Sequence, residues 1–426
     1  MANDGLVVGL DIGTTKVCAV IGERNNDGLL EITGVGLAAS TGLRKGVVVN
    51  IEATIRSILA AVEAAEMMSG QEVHDCWIGI GGNHIDGINS RGVVAVTEKK
   101  RERGERDRDI EQEDIDRVLE AARAVVIPMD RNILQVIPQS YIVDEQRGIR
   151  DPLGMIGVRL EAEVHIITCS VTSAQNLMKC VNRADFHVND FILQSLAASR
   201  AVLTNEEKEM GVALIDMGGG TTDVLVFVDG TPYSNITVPV GGGMITSDIS
   251  KVTNISFETA ERVKIEEGCC WEGLLDADDE IVVPGVGGRP PLSIPKSQLL
   301  AIIQSRVEEI FLMVRDRLDK LALSRPLGGG IVLTGGGSQL QGAVELAAEI
   351  FRLPVRAGVP VAAGGVVDQY RDPTYATAVG LVLEGDDRER RMLPEQQRVV
   401  GEGRNRPEKK PGLLGKFIVW LKTEFF

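Results

Sequence analysis

Residues 8–20, VGLDIGTTKVCAV, are echoed about 200 positions later by residues 213–225, ALIDMGGGTTDVL. In each, an apolar strand delivers an aspartate, a glycine-rich turn with a Thr-Thr pair follows, and a second strand leaves. Two matching units in the same order imply a body built from two related halves. Such a turn has a chemical use. Gly13 and Gly218, Gly219 and Gly220 let backbone N–H groups approach anionic oxygens with no Cβ in the way, and the hydroxyls of Thr14, Thr15, Thr221 and Thr222 add donors. Asp11 and Asp216, at the strand ends, suit a Mg2+ that keeps most of its waters and bridges to a polyphosphate, which Lys16 would meet as a point charge. Taken singly, either turn also reads as an ordinary tight hairpin, because Gly and Thr are common turn and strand residues. Their repetition favours the phosphate reading.

A third glycine cluster, IVLTGGGSQLQG at residues 331–342, again places a strand before glycines, with a helix start expected near Ser338. A planar ring could slide against the bare backbone of Gly335, Gly336 and Gly337, with Ser338 beside it; a tight strand-to-helix turn is the plainer alternative. Beside the paired hairpins the cluster reads as a base pocket. Gly242, in Gly241-Gly242-Gly243, and the helix carrying Glu261 and Lys264 would supply lower-phosphate and ribose contacts, although either charge alone is usually a solvated helix residue. Competing nucleotide motifs are weak. There is no G-x-x-x-x-G-K-[ST], and Gly34-x-Gly36-x-x-Ala39 runs into Ser40-Thr41-Gly42 instead of a helix, so it reads as a strand and turn.

Around these motifs, β-branched runs punctuated by glycine alternate with helical patterns over residues 1–384, as in α/β folds. Asn50 is placed to cap a helix over residues 51–68 before Gly70 stops it, and residues 298–323 repeat the pattern at greater length. The 426 residues carry a net charge of -16, which disfavours an extended nucleic-acid footprint. Six cysteines without C-x-x-C spacing, and a start without signal-peptide character, point to a reducing cytoplasm. Residues 98–116 read as a solvated loop leading into a helix over residues 113–126. Residues 385–411 are rich in Pro, Gly and charge and read as a flexible tether. The terminal PGLLGKFIVWLKTEFF places Leu413, Leu414, Phe417, Ile418, Leu421 and Phe425 on one helical face, with Trp420 adding bulk and Lys416 and Lys422 opposite. This is the composition of an interfacial helix suited to anionic lipid, though a helix docking on its own body would show the same stripe.

Hairpin, second hairpin and glycine-rich turn, in that order, resemble the actin-like ATPase superfamily. LDIGTTKVCAVIG, residues 137–170, LIDMGGGTTDV, AERVKIEEG, VPGVGGRPP, IVLTGGGSQLQG and DPTYATAVGL are more closely similar to the FtsA family of bacterial cell-division proteins, and the likeness covers nearly the whole chain. The resemblance implies an α/β, actin-like two-lobed fold of duplicated ribonuclease-H-like halves. Its parts would be residues 1–84 and 167–204 of the first lobe, an inserted subdomain at 85–166, a second lobe at 205–370, a return to the first at 371–384, a linker at 385–411 and an amphipathic helix at 412–426. It implies ATP and Mg2+ as cofactors, filaments of the chain's own copies, and anchoring of the acidic C-terminal peptide of FtsZ. The matching region points to Lys296 and Arg306, which as isolated positions are merely exposed charges. It further implies contacts with other division proteins, anionic lipid of the inner membrane and a peripheral location on its cytoplasmic side at the septum. Hydrolytic relatives place an acid or amide just before an alanine-rich helix to orient water. Here DFILQSLAASRAVL offers Leu193, with Asp190 and Gln194 out of register, so no catalytic residue is assigned and slow turnover is expected. An actin-fold small-molecule kinase and a PilM-like pilus-assembly protein are the alternatives.

Overall fold

A computed structural model describes residues 5–25, 27–96, 99–100, 106–107, 109–275, 279–284, 290–321, 323, 325–361, 364–365 and 370–392. The repeat in sequence becomes a repeat in topology. In the first lobe, strands Leu30–Ala39, Lys16–Arg24 and Leu6–Ile12 form an antiparallel meander, and Asp75–Ile80 and His187–Leu193 continue the sheet in parallel. In the second, Thr231–Val238, Thr222–Val228 and Val212–Met217 form the same meander, continued in parallel by Ile331–Thr334 and Val355–Ala357. Both sheets therefore have the strand order three, two, one, four, five. The two-stranded pairing of Gly364–Gly365 adds a sixth strand to the first.

The helices follow the expected patterns with shifted ends. Asn50 caps Ile51–Ser69, its side chain accepting from the Ala53 N–H at 3.0 Å, and Gly70 ends it at φ 70°. The long helix begins at Lys296 and stops at Asp319, earlier than its apolar spacing suggested; Ile303, Val307, Ile310 and Val314 are fully buried against the second sheet's core. All six cysteines are free and buried.

The inserted subdomain leaves the first lobe after Asp75–Ile80 and returns through Val171–Arg183. Its sheet runs in the order Gln146–Ile149, Arg131–Val143, Arg159–Ser170, Ile85–Ala95. One face packs on the helix Gln112–Arg123, joining Ile115, Val118 and Ala122 to Leu160, Val164 and Ile166. The opposite face is polar and meets the second lobe's edge strand. His165 lies between Asn89 Oδ1 at 2.6 Å and Asn235 Oδ1 at 2.7 Å, and Gln139 Nε2 donates to the Pro232 and Tyr233 carbonyls.

The tether expected from residue 385 does not begin there, because the helix Ala376–Met392 runs through that stretch. Composition hid two tertiary contacts. Gly385 lets the helix lie against the Trp77 ring, and Asp386, buried despite its charge, pairs with Arg24 at 2.5 Å. Residues Met1–Asp386 form one compact unit and Asp387–Phe426 a second, of which 387–392 are described. The rest of the tether and the terminal stripe from Leu413 to Phe425 lie outside the described residues, as do residues 98, 101–105 and 108 of the charged stretch at 98–116. No described helix is long and apolar enough to cross a membrane.

Candidate functional site

The two hairpins end in the same turn. The Gly13 N–H donates to the Lys16 carbonyl at 2.9 Å, and the Gly218 N–H to the Thr221 carbonyl at 3.0 Å. Strand register completes the equivalence: Asp11 opposes Cys18 and Ile12 opposes Val17, as Asp216 opposes Asp223 and Met217 opposes Thr222. The Thr-Thr pairs are therefore not equivalent. Thr221 holds the place of Lys16, while Thr14 and Thr15 correspond to Gly219 and Gly220.

That offset lets the turns face one another. A Cβ added to Gly219 would stand 2.3 Å from Thr15 Cγ2, and one added to Gly220 would stand 2.5 Å from Thr14 Oγ1. One loop supplies short side chains and the other leaves room for them. Between them opens a cleft of about 540 Å³ into which Asp11, Asp216 and the glycines of both turns face, along with Thr14, Thr15, Lys16 and Thr221. Gly335, Gly336, Gly337, Gly242, Glu261 and Lys264 line it too. Two expected residues do not. Thr222 is fully buried, its hydroxyl donating to the Val240 carbonyl at 2.9 Å, and buried Ser338 donates to the Gly335 carbonyl at 2.7 Å. A three-residue-per-turn segment, Gly336–Gln339, occupies the expected helix start, and the helix itself begins at Ala343. Both hydroxyls serve backbone carbonyls, Ser338 within its own turn and Thr222 across to the segment after the third strand.

The charges in the cleft are uneven. Burial raises the Asp11 carboxyl above its usual range, opposed by nearby Lys16 and by Gln194, whose Nε2 donates to Asp11 Oδ1 at 2.7 Å. Asp216 is pushed up to about 7, first by burial and then by the neighbouring carboxylates Asp223 and Asp11; Thr377 donates to it at 3.2 Å. Asp223 is also raised by burial, opposed by hydroxyl bonds from Thr237 at 2.6 Å and Thr221 at 2.8 Å. Lys16 donates to the Thr374 carbonyl and stands 5.9 Å from the centre of the Tyr375 ring. Glu261 and Lys264 are paired at 2.7 Å instead of solvated, and the lysine also donates to Thr246 at 3.0 Å.

Several residues here escaped the sequence reading. Gln194 is the first residue of the helix Gln194–Val202 and enters the cleft, whereas Leu193 is buried in the first lobe's core. The strand that leads into this helix carries a register irregularity between Val188 and Asp190. Gly81 makes room for the amide, since a Cβ there would stand 2.0 Å from Gln194 Oε1. Asp223 carried a signal, its position opposite Asp216, that only the strand register makes visible. Lys296 and Arg306 sit on another surface and are already engaged. Lys296 pairs with Glu267 at 3.1 Å, and Arg306 with Asp248 at 2.5 Å and with Glu309.

Comparisons with known proteins agree with this architecture. The family model described as "Cell division protein FtsA" matches residues 213–380, and the one described as "SHS2 domain inserted in FTSA" matches residues 82–168. Among curated relatives, the cell division protein FtsA of Pseudomonas aeruginosa is 43% identical over 99% of this chain and 98% of that protein. The FtsA of Borreliella burgdorferi is 45% identical over 99% of each, and that of Escherichia coli 36% identical over 90% of each. Among solved structures, the PilM–PilN type IV pilus biogenesis complex aligns with a TM-score of 0.64 at 17% identity, over 89% of this chain and 98% of that one. MreB5 of Spiroplasma citri bound to AMPPNP aligns at 0.54 and 15% identity, over 92% and 98%. These two likenesses bear on the fold, which is the actin-like one.

Proposed function

This chain belongs to the FtsA family of cell-division proteins, and from that premise we propose that it binds ATP with Mg2+ between its two hairpins and works in division as a membrane-held, polymerising anchor for FtsZ. The observation that carries the nucleotide reading is the convergence of two equivalent turns, each with a strand-end carboxylate, on one cleft. Bare glycine backbone faces the space where anionic oxygens would lie, and Lys16 supplies the cation.

The donor set fits Mg2+. Burial raises the carboxyls of Asp11 and of partly buried Asp216, the latter raised further by the neighbouring carboxylates Asp223 and Asp11, so a divalent cation would relieve what now disfavours their ionised forms. Among the described residues no three His, Cys, Asp or Glu side chains form a metal-holding group, which suits an ion held by two carboxylates, water and phosphate oxygens. When bound, the ion would neutralise phosphate charge. The protein's own part is positioning. Gly219 and Gly220 present N–H groups, those of Gly13 and Gly218 being spent on closing their turns, Lys16 balances charge, and Gln194, anchored on Asp11, holds an amide where an attacking water can be oriented. The expectation of slow turnover rested on Leu193 filling that place, and Gln194 removes that ground.

An acidic FtsZ peptide at Lys296 and Arg306 would have to displace Glu267, Asp248 and Glu309, so its attachment should be weak and gain strength from filament avidity. The terminal stripe gives each copy a reversible foot on anionic lipid.

Gly336→Asp tests the nucleotide site. A Cβ at Gly336 meets nothing within 4 Å, so the variant should fold as the wild type does yet put a carboxylate into the cleft. Filter binding should show ATP binding lost, as in Asp216→Ala; unchanged affinity in either variant refutes the site. Flotation with anionic liposomes should lose the protein when it is truncated after Pro411, and retention would refute the foot.

A further inference from the structure

The cleft wall built around the third glycine turn is mostly apolar or bare. Ile265 is exposed there, Leu340 is half-buried, and Gly336 faces open space. One side-chain amide interrupts it. Gln339 Nε2 donates to Asp372 Oδ1 at 2.8 Å and to Thr374 Oγ1 at 2.7 Å. An ionised carboxylate can only accept, so the amide has its nitrogen toward Asp372 and its oxygen away. Asp372 is itself fixed, since its Oδ1 also accepts the Thr374 N–H at 2.7 Å. With both N–H groups used, exposed Gln339, which lines the cleft, has only the acceptor Oε1 left to offer a ligand.

From this orientation we propose that Gln339 is a specificity-determining residue, selecting a nucleobase whose edge donates, through the exocyclic amine of adenine, over one that presents a carbonyl there. The proposal rests on the reading of the cleft as an ATP site. A planar ring lying against Ile265 and the Gly336–Gly337 backbone brings its edge to Gln339. An amine at that edge gives Oε1 a hydrogen bond in place of the water that meets this exposed side chain. A carbonyl, as in hypoxanthine or guanine, sets two acceptors against each other and leaves both unsatisfied as water is excluded. Asp372 and Thr374 are positioning residues, acting through the amide they hold.

The test uses the full chain and two nucleotides, ATP and ITP, which differ at the base edge and not in ribose or phosphates. Dissociation constants with Mg2+ are measured for wild type, Gln339→Leu and Gln339→Lys, with thermal melting as the check on folding. Wild type should prefer ATP by about tenfold. Gln339→Leu should bring the ratio close to one, mainly by weakening ATP. Gln339→Lys, which replaces an acceptor with donors alone, should turn the preference toward ITP, a reversal that structural damage cannot produce. A wild type that binds ATP tightly with no discrimination, or variants that keep the wild-type ratio, would overturn the Gln339 assignment and leave the ATP site standing. A wild type that binds neither nucleotide would sink both.

Discussion

In the first hairpin a lysine closes the turn, and the row running across the meander from the carboxylate reads Asp11, Cys18, Leu37; in the second a threonine closes it, and the row reads Asp216, Asp223, Thr237. The backbones match down to the turn hydrogen bond. What differs is the chemistry mounted on them. The first row turns apolar one strand from its aspartate, and that aspartate has a cation and an amide beside it. The second row stays polar across three strands, and its aspartate has another carboxylate as neighbour. Two copies of one scaffold have become complementary jaws, one carrying side chains and positive charge, the other bare backbone and negative charge. A duplicated fold thus conserves the geometry that aims a turn at the cleft and leaves the residues on it free to specialise.

Complementarity of the loops is the feature to break first. Gly220→Val puts a branched side chain onto Thr14, whose own stiff, short side chain cannot swing clear. ATP affinity should fall by two to three orders of magnitude, on the order of 3–4 kcal/mol, measured by filter binding or calorimetry. Adding Thr14→Gly clears the obstructing atoms and should recover at least tenfold of that loss. If the double variant binds no better than the single one, the jaws do not interlock through these pairs.

The same comparison marks what sequence alone could reach. The duplicated Asp-Gly turns were legible because phosphate chemistry and tight turns both demand small residues at fixed spacing, and a repeat of strand, turn and strand dictates a repeated meander. Helix caps at Asn50 and Gly70 were legible for a similar local reason. What failed depended on partners distant in sequence. Leu193 ends its strand in the core while Gln194 opens the next helix toward the cleft, and nothing in DFILQSL announces which of the two enters. The helix through Gly385 and Asp386 looks like tether until Trp77 and Arg24 are placed beside it. Thr222 and Ser338 have the right chemistry for a ligand, and turn it on the backbone carbonyls of Val240 and Gly335 because burial there requires a partner.

Charge is the second difference to sharpen. A carboxyl raised from 3.8 to about 7 binds its proton more tightly folded than unfolded. Its contribution to stability is therefore fully present below about pH 4 and is lost as pH rises through 7. Without nucleotide or divalent cation, wild-type stability should decline across that window by on the order of 3 kcal/mol, read from urea midpoints between pH 4.5 and 8. Asp216→Asn should remove most of this slope. Asp11→Asn should remove less, because Lys16 and Gln194 already favour its ionised form. Equal slopes in the two variants would mean that the jaws are electrically alike.

The smallest expected effect comes from making the second row resemble the first. Thr237→Val keeps shape and β-propensity on the edge strand and deletes one hydroxyl, the 2.6 Å donor to Asp223. Asp223 keeps Thr221 at 2.8 Å, so the loss should be about 1 kcal/mol of stability, the usual worth of one hydrogen bond to a carboxylate that retains another. Removing a donor to the ionised form also moves the Asp223 carboxyl further up. Because Asp223 adds its repulsion to Asp216 only when ionised, a more readily protonated Asp223 should shift the pH window of Asp216 downward. A urea titration series on Thr237→Val would show that shift as an earlier onset of the decline. An unmoved window would mean that Asp223 does not set the charge of its jaw, and that burial alone separates Asp216 from Asp11.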